Sequence, residues 1–168
     1  LVADLHQELL GRARIVGVAV VAQCEIAEFH GGGWLPWPTH HVSENEPLKI
    51  LGKIENGEIK NYDGMKISAH CNRVPVIDGH MACVSVEFEK KPAYDQIMEA
   101  WKNFRSLPQE LNLPFAPSHP IIYKEEQDRP QTRLDRDNDK GMAVTVGRLR
   151  DCNVLHYRFV GLSHTLIR

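Results

Sequence analysis

Apolar and polar positions alternate in several stretches of the chain, and this pattern predicts strands. Residues Met81–Glu89 alternate most cleanly, which places Ala82, Val84, Val86 and Phe88 on the inward face of one strand. Met65–Arg73 alternates in the same way, and Ile15–Ala22 is a β-branched, apolar run typical of a buried strand. Further strands are predicted at Ile121–Lys124, Met142–Leu149 and Val154–Val160, the last two joined by a turn near Arg150 and Asp151.

Three other segments are predicted to be helical. Leu1–Leu10 is followed by Gly11, a residue that favours helix ends. Glu44–Gly52 is a short helix candidate, and a longer helix is predicted to begin at Pro92 and to end at Leu107. The apolar stripe of this third helix consists of Ile97, Trp101 and Phe104.

Two segments have the composition of loops. Phe29–His41 contains three glycines, two prolines, two tryptophans and three histidines, and we expect an atypical long loop there. Glu125–Lys140 is dense in charge and predicts an extended, exposed excursion. Five or six strands and two or three helices remain, without regular alternation between them. The pattern therefore favours one α+β domain over residues 1–168, with a mixed, largely antiparallel sheet and helices on one face.

The composition is that of an ordinary globular domain, and it excludes several classes of protein. The 168 residues are 42% hydrophobic and 25% charged, with a formal charge of −2, so bulk positive charge for nucleic acid is lacking. No apolar run approaches the roughly 20 residues that span a bilayer, and the amino end lacks a signal-peptide pattern. The four scattered cysteines form no CxxC pair, so we expect reduced thiols in a cytoplasmic protein.

The segment from Arg73 to His80 carries the most informative chemistry. Arg73 ends one predicted strand and His80 precedes the next, and Pro75 and Gly79 between them require a bend. A guanidinium suited to a carboxylate and an imidazole suited to acid–base catalysis are therefore expected to face one pocket. The alternative is an arginine in a surface ion pair and a structural histidine.

A second pair of charged residues lies in the predicted helix at Glu44–Gly52. Glu46 and Lys49 are three residues apart and share one side of that helix. A carboxylate and an ammonium so placed suit a zwitterionic or phosphorylated substrate. The alternative is an exposed ion pair, which contributes only about 0.2–0.5 kcal/mol.

Metal and nucleotide sites are not predicted. His70, Cys71, His80 and Cys83 lie close in sequence, but adjacent residues on a strand point to opposite faces, and no CxxC or HxxxH spacing occurs. Gly31–Gly33 precedes no predicted helix, and the chain contains neither a GxGxxG nor a P-loop motif.

Longer motifs along the chain resemble one enzyme family. The segment ISAHCNRVPVIDGHMACVSVEF (Ile67–Phe88) is similar to the signature of the aspartate-semialdehyde dehydrogenases, in the form found in fungi and archaea. The resemblance covers most of the chain from Glu44 onward. It continues in EPLKILGKI (Glu46–Ile54), DRPQTRLDR (Asp128–Arg136), GMAVTVGRLR (Gly141–Arg150) and FVGLSH (Phe159–His164).

The resemblance implies the carboxy-terminal, substrate-binding and dimerisation domain of such an enzyme, with a glyceraldehyde-3-phosphate-dehydrogenase-like fold. The family interconverts aspartate semialdehyde and aspartyl phosphate with NADP, on the route to lysine, threonine and methionine. Arg73 matches the arginine that binds the substrate carboxylate, and His80 matches the acid–base histidine. Glu46 matches the glutamate near the substrate amino group, and Lys49 matches the lysine that helps to hold phosphate.

Other features of that family are missing from this sequence. No Ser-Asn-Cys-Ser-type motif supplies the nucleophilic cysteine, the NADP-binding domain is absent, and Thr165 stands where the family has an asparagine near the nicotinamide. We therefore expect an oxidoreductase fragment that is inactive alone, with NADP held mainly by the missing domain and Thr165 as a cofactor contact. A homodimer or homotetramer is expected, with Met142–Arg150 and Asp128–Lys140 at the subunit contact.

Two other hypotheses stay open at this point. The first is a catalytically inactive, truncated paralogue that serves only as a dimerisation module. The second, much less favoured, is a metal-binding module built on the histidines and cysteines.

Overall fold

Eight strands and four helices make up the part of the chain that the computed structural model describes, residues 14–25 and 39–165. The strands are β1 (Ile15–Glu25), β2 (Lys53–Glu55), β3 (Glu58–Lys60), β4 (Lys66–Val74), β5 (His80–Phe88), β6 (Ile121–Lys124), β7 (Val144–Asp151) and β8 (Tyr157–Ser163). The helices are α1 (Thr39–Ile50), α2 (Tyr94–Asn103), α3 (Leu107–Glu110) and α4 (Thr132–Asp135), with a 3-10 turn at Asn138–Gly141.

Six of the strands form one mixed sheet in the order β4-β1-β5-β8-β7-β6. The three central pairs, β1–β5, β5–β8 and β7–β8, are antiparallel. The two outer pairs, β1–β4 and β6–β7, are parallel. This arrangement confirms the mixed, largely antiparallel sheet that the sequence pattern predicts. Strands β2 and β3 form a separate hairpin, which the sequence pattern did not predict.

The core lies between one face of the sheet and α2. Trp101 packs edge-on against Phe159 and stacks on Tyr123, with ring centroids 5.1 and 5.8 Å apart. Burying each large apolar side chain of this kind contributes about 1.5–3 kcal/mol, so this layer dominates the stability of the domain. The buried cluster consists of Val86, Phe88, Ile97, Trp101, Phe104, Ile121, Val146, Leu149 and Tyr157, which confirms the predicted stripe on α2.

Helix α1 covers the outer edge of β4. The Glu44 carboxylate accepts a hydrogen bond from the Ala69 N–H at 2.9 Å, and the Ser43 hydroxyl lies 3.5 Å from the Cys71 thiol. A free strand edge exposes unpaired backbone donors, so Glu44 satisfies one that β1 cannot reach. These two contacts fix α1 beside the carboxyl half of β4.

The sheet face opposite α2 is divided into a covered half and an open half. The segment between β6 and β7 covers Thr145, whose hydroxyl accepts a hydrogen bond from Asn138 at 2.9 Å. The open half lies on β4, β1, β5 and the start of β8, and Val21 there is 44% exposed. We call it the open face. The residues that belong to the open face, as strand pairing and alternation place them, are Ala19, Val21, Ser68, His70, Cys83, Ser85 and Arg158.

The excursion predicted at Glu125–Lys140 is not the exposed, extended segment that its charge density indicated. It contains α4 and the 3-10 turn, and Pro130 and Asp135 within it are almost fully buried. The Arg129 guanidinium donates to both oxygens of the Asp135 carboxylate, and the Gln131 N–H donates to it at 2.7 Å. Local pairing of opposite charges lets this charge-rich segment pack against the sheet, which composition alone did not reveal.

Other element boundaries also differ from the sequence prediction. Helix α1 begins at Thr39, so the last three residues of the predicted loop Phe29–His41 are helical, and Pro47 lies inside the helix. Helix α2 ends at Asn103, and Leu107 begins α3 instead. The turn predicted near Arg150 and Asp151 lies beyond them, because β7 continues to Asp151 and β8 begins at Tyr157. The predicted helix Leu1–Leu10 and residues 29–38 lie outside the described residues.

No helix among residues 14–25 and 39–165 combines the length and the apolar character that a membrane crossing requires.

Replacing Asp135 by Asn should destabilise the domain. Burial opposes ionisation of Asp135, but the hydrogen bonds from Arg129 and the Gln131 N–H outweigh it and lower the pKa of this carboxyl. The variant should lose about 2–4 kcal/mol of unfolding free energy at pH 7, because Arg129 keeps a half-buried charge without its acceptor. In the wild type, this stabilisation should be complete above pH 4 and lost as the pH falls through the depressed folded pKa.

Urea unfolding between pH 7 and pH 2 measures both effects. Asp151→Asn is the matched control, because Asp151 pairs with Lys91 at 2.7 Å but is 79% exposed. An exposed pair contributes about 0–1 kcal/mol, so equal destabilisation by the two variants would contradict this account of Asp135.

Candidate functional site

Three chain segments meet at one end of the sheet and form the candidate site. They are the end of β4, the start of β5 and the end of β8. Strand β5 runs antiparallel to both β8 and β1, so it starts where they end. Strand β4 runs parallel to β1 and therefore ends at the same side. His80 is paired with Ser163 across β5 and β8. The predicted catalytic histidine therefore lies at the first position of β5, where its neighbouring strand ends.

His80 is half-buried and lies on the core side of the sheet. It precedes Val84 by four positions on β5, and alternation along a strand places both on one face. Val84 is paired with Val20 of β1 and Phe159 of β8, so this face is the one that α2 covers further along the sheet. Because His80 is only half-buried, its imidazole can reach a bound molecule.

Arg73 occupies the matching register position on β4. Arg73 is paired with Cys24 of β1. On the other side of β1, Gln23 is paired with Met81, so the next residue of β1, Cys24, lies level with His80. Arg73 and His80 are thus two strand spacings apart, about 10 Å between backbones. The side chain of Arg73 lies outside the described part of the structure. Its backbone position agrees with the expectation that Arg73 and His80 serve one pocket.

Gly79 makes the bend before His80. Its φ is +106°, a conformation that L side chains rarely adopt. A methyl group at Gly79 would also lie 3.2 Å from the Leu162 side chain and 3.4 Å from that of Thr132, so Leu162 would have to shift slightly to admit it. The backbone conformation is therefore the main reason for glycine at this position.

Thr165 joins the end of β8 to this bend. Its hydroxyl oxygen accepts a hydrogen bond from the Gly79 N–H at 2.8 Å. The interaction links two residues 86 positions apart in sequence, directly beside His80. The sequence marked Thr165 as a cofactor contact, and the structure adds a positioning role, because the bond fixes the backbone from which His80 projects. The hydroxyl hydrogen of Thr165 remains free to donate to another group.

A buried histidine next to the site has no role in the sequence interpretation. His164 is only 6% exposed, and its Nε2 lies 3.6 Å from a carboxylate oxygen of Asp137. Arg136, the residue before Asp137, packs its Cβ 3.7 Å from the position of a Gly79 methyl group. The motifs DRPQTRLDR and FVGLSH contain or adjoin these residues, so the family resemblance was a signal that could have pointed to them, but the sequence interpretation did not use it.

Glu46 and Lys49 are exposed residues of α1. Glu46 follows Ser43 by three residues and Lys49 follows Glu46 by three, so these residues lie along one side of the helix, and Glu44 lies on the other side. Neither makes an ion pair with another residue of the described ranges. The structure therefore brings His80, Thr165 and the backbone of Arg73 together, and it leaves Glu46 and Lys49 at the solvent side of the neighbouring helix.

Metal binding has no support from side-chain geometry in residues 14–25 and 39–165, since no three His, Cys, Asp or Glu residues there converge on one point. Four neighbouring histidines and cysteines were the candidates for metal ligands in the sequence. Two of them, His70 and Cys83, lie on the open face, whereas His80 belongs to the core side. Strand alternation thus separates these residues in space although they are close in sequence.

Comparison with known proteins identifies relatives of this chain. The profile of the semialdehyde dehydrogenase dimerisation domain matches residues 32–168. The aspartate-semialdehyde dehydrogenase of Methanothermobacter thermautotrophicus is 45% identical over 129 residues, which are 74% of this chain and 36% of that protein. The enzyme of the same name from Schizosaccharomyces pombe is also 45% identical over 129 residues, and the match again covers 74% of this chain and 36% of that protein. The chain thus spans about a third of the length of these curated relatives.

Solved structures show the same relationship. The aspartate semialdehyde dehydrogenase of Candida albicans, crystallised with NADP, superposes with a TM-score of 0.77 at 32% identity. The match covers 89% of this chain and 45% of that chain. Aspartate semialdehyde dehydrogenase II of Vibrio cholerae gives a TM-score of 0.68 over 98% of this chain, and its 15% identity supports the fold alone. These comparisons confirm the resemblance that the sequence motifs indicate.

Replacing Thr165 by Val should loosen the start of β5. Valine has nearly the shape of threonine but lacks the oxygen that accepts the Gly79 N–H, so the buried Gly79 loses its partner. We expect a loss of about 1–2 kcal/mol in unfolding free energy and faster hydrogen exchange of the Gly79 amide, measured by NMR. Thr165→Ser keeps the hydroxyl and should retain the slow exchange. Equal exchange rates in all three proteins would show that the bond does not hold this bend.

Proposed function

The chain belongs to the semialdehyde dehydrogenase dimerisation-domain family, and on that basis we propose that it is the substrate-binding and self-associating part of an aspartate-semialdehyde dehydrogenase. The reaction is the NADP-dependent interconversion of aspartate semialdehyde and aspartyl phosphate, in amino-acid biosynthesis. The observation that carries this proposal is the convergence of Arg73, His80 and Thr165 at one end of the sheet.

Arg73 and His80 have complementary tasks in this proposal. The planar donors of the Arg73 guanidinium suit the α-carboxylate of the substrate, which they bind as a fork. With the substrate anchored there, the imidazole of His80 moves a proton at the reacting carbonyl end. The separation of about 10 Å between the two backbones leaves room for a four-carbon amino acid between the side chains.

Glu46 and Lys49 extend the same recognition to the other charges of the substrate. Glu46 is proposed to meet the substrate ammonium group, and Lys49 to help hold the phosphate. Both side chains are exposed, so they are available to a ligand that arrives from solvent. Lys49 also lies in the last turn of α1, where the helix dipole favours a positive charge.

The chemistry of the cofactor requires groups beyond those described here. NADP would supply the hydride, but among the described residues only Thr165 is a candidate contact, and no glycine-rich motif cradles its phosphates. We therefore propose that NADP is held mainly by a separate amino-terminal domain, which also carries the nucleophilic cysteine. The residues of this chain bind and orient the substrate and move a proton.

The open face is the proposed surface of self-association. It combines exposed apolar and small polar residues on three adjacent strands, with Val21 at 44% and Cys83 also exposed. A sheet face of this size is normally covered, and the family description names dimerisation. We propose a homodimer with the two open faces packed together, or a homotetramer of two such dimers, in the cytoplasm. The excursion Asp128–Lys140 packs against its own sheet through Asp135, and a contribution of its exposed residues to the subunit contact stays a prediction.

A second candidate function is a module that dimerises and binds no substrate. The sequence favours it in one respect, since no motif around its four cysteines matches the family nucleophile. Substrate binding by the chain itself distinguishes the two, because only the first candidate requires Arg73 to act.

Arg73→Lys should weaken binding of L-aspartate β-semialdehyde to the chain by about tenfold or more, because a lysine cannot form the two parallel hydrogen bonds of a guanidinium. The titration is followed through the amide signals of His80 and Gly79. Lys53→Arg, in the exposed hairpin, is the control that likewise conserves charge, and it should bind like the wild type. The wild-type chain should consume no NADPH with aspartyl phosphate.

Equal affinity of Arg73→Lys and the wild type would contradict the proposed carboxylate site. Absence of any saturable binding to the wild type would favour the dimerisation module.

Val21→Glu should disrupt self-association. A carboxylate in the centre of a buried sheet face loses its hydration without a partner, so we expect the dimer dissociation constant to rise by about tenfold or more. Sedimentation velocity at micromolar concentration measures this. Ile54→Glu is the matched control, since Ile54 is 79% exposed on the β2–β3 hairpin, away from the open face. A wild-type chain that sediments as a strict monomer would refute the assignment of the open face.

A further inference from the structure

Two arginines stand directly opposite each other on the open side of the sheet. Arg158 of β8 is paired with Arg150 of β7, and on its other side with Ser85 of β5. Residues paired in this way have their side chains about 5 Å apart at the Cβ atoms. Like charges in such positions destabilise a sheet unless a third group neutralises them.

A third arginine joins them through a bulge in β7. The register between β7 and β8 shifts between Gly147 and Arg150, and Arg148 within that shift has a φ of +57°. A left-handed backbone is uncommon for a residue other than glycine, and it places Arg148 at the same cavity as Arg150 and Arg158. The cavity has a volume of about 420 Å³.

The other walls of this cavity combine apolar side chains of β1, β5 and β8 with a few polar groups, none of which is acidic. Ser68, His70 and Ser85 line it together with the three arginines, and no Asp or Glu does. The hydroxyls of Ser68 and Ser85 can donate hydrogen bonds, as the guanidinium groups do. Donors therefore surround the space from several strands, although the chain as a whole carries a net charge of −2.

The three guanidinium groups lack acceptors within the described ranges. No carboxylate of residues 14–25 or 39–165 forms an ion pair with Arg148, Arg150 or Arg158. The Nε of Arg158 is enclosed by protein atoms and has no hydrogen-bond partner in that part of the chain. A buried donor without an acceptor is costly, so both observations indicate a missing anionic group at this position.

We propose that Arg148, Arg150 and Arg158 form a binding site for an oxyanion, a carboxylate or a phosphate. Guanidinium forks match the planar or tetrahedral oxygens of these groups, and several forks on one anion give the strong, charge-assisted type of hydrogen bond. The anion neutralises the Arg150–Arg158 repulsion and accepts from Arg158 Nε. It comes either from solution or from an acidic side chain of a second copy of the chain.

The site is independent of the proposed enzymatic function. It lies on the sheet face opposite His80 and two register rows or more away from the end where the substrate would bind. A negative result for the anion site would therefore leave the proposed roles of Arg73 and His80 unchanged. A negative result for those two residues would likewise leave the anion site unchanged.

Titration of the chain with inorganic phosphate at constant ionic strength tests the proposal, with the amide signals of Ser85, Arg150 and Arg158 as the readout. The wild type should show saturable shifts, and Arg150→Gln should weaken binding by about tenfold or more. Arg150 is exposed, so this variant keeps the fold. Lys53→Gln is the control: Lys53 is exposed on the β2–β3 hairpin, away from the open face, and its loss should change phosphate binding by less than about twofold.

Sedimentation velocity on the same proteins distinguishes the two sources of the anion. Saturable phosphate binding that Arg150→Gln weakens supports a free anion. Self-association that weakens with Arg150→Gln and with added salt, but not with Lys53→Gln, supports a carboxylate of a second copy. If phosphate binding and self-association are the same in wild type, Arg150→Gln and Arg158→Gln, the proposal is overturned.

Discussion

The register of β5 between β1 and β8 is the constraint on which the rest of this structure depends. Both neighbours pair with β5 over most of its length, and alternation sends Val84 and Val86 to one face and Cys83 and Ser85 to the other. A slip of one residue would move every one of these side chains to the wrong face. The buried cluster against α2 forbids such a slip, because Val86 and Phe88 are central members of it.

That register places three chemically distinct surfaces around one strand. His80 comes to the end of the sheet beside Thr165, the apolar residues meet Trp101 in the core, and Cys83 and Ser85 open towards the face assigned to self-association. The packing that stabilises the domain therefore also positions both proposed functional surfaces. A site at a sheet end and an interface on a sheet face can then coexist without sharing side chains.

Charge is organised in opposite ways on the two halves of the face opposite α2. In the covered half, Asp135 receives hydrogen bonds from Arg129 and the Gln131 N–H, and the segment is self-neutralised and buried. In the open half, Arg150 and Arg158 face each other without a described carboxylate. The first arrangement closes the surface against its own chain. The second leaves a positive surface that requires an external anion, which is consistent with an interface or a ligand site.

The sequence by itself determined the six strands of the main sheet, the apolar stripe of α2 and the sheet type, because periods of two and of three to four residues are local properties of the chain. It also indicated the family, since the motifs depend on residue types at fixed spacing, and it predicted that Arg73 and His80 serve one pocket. Only the tertiary structure decided the burial of Asp135, the bond from Gly79 to Thr165 and the cluster around Arg158. Each of these joins residues through a turn or a strand register, and register is set by packing across the sheet, which a linear pattern does not contain.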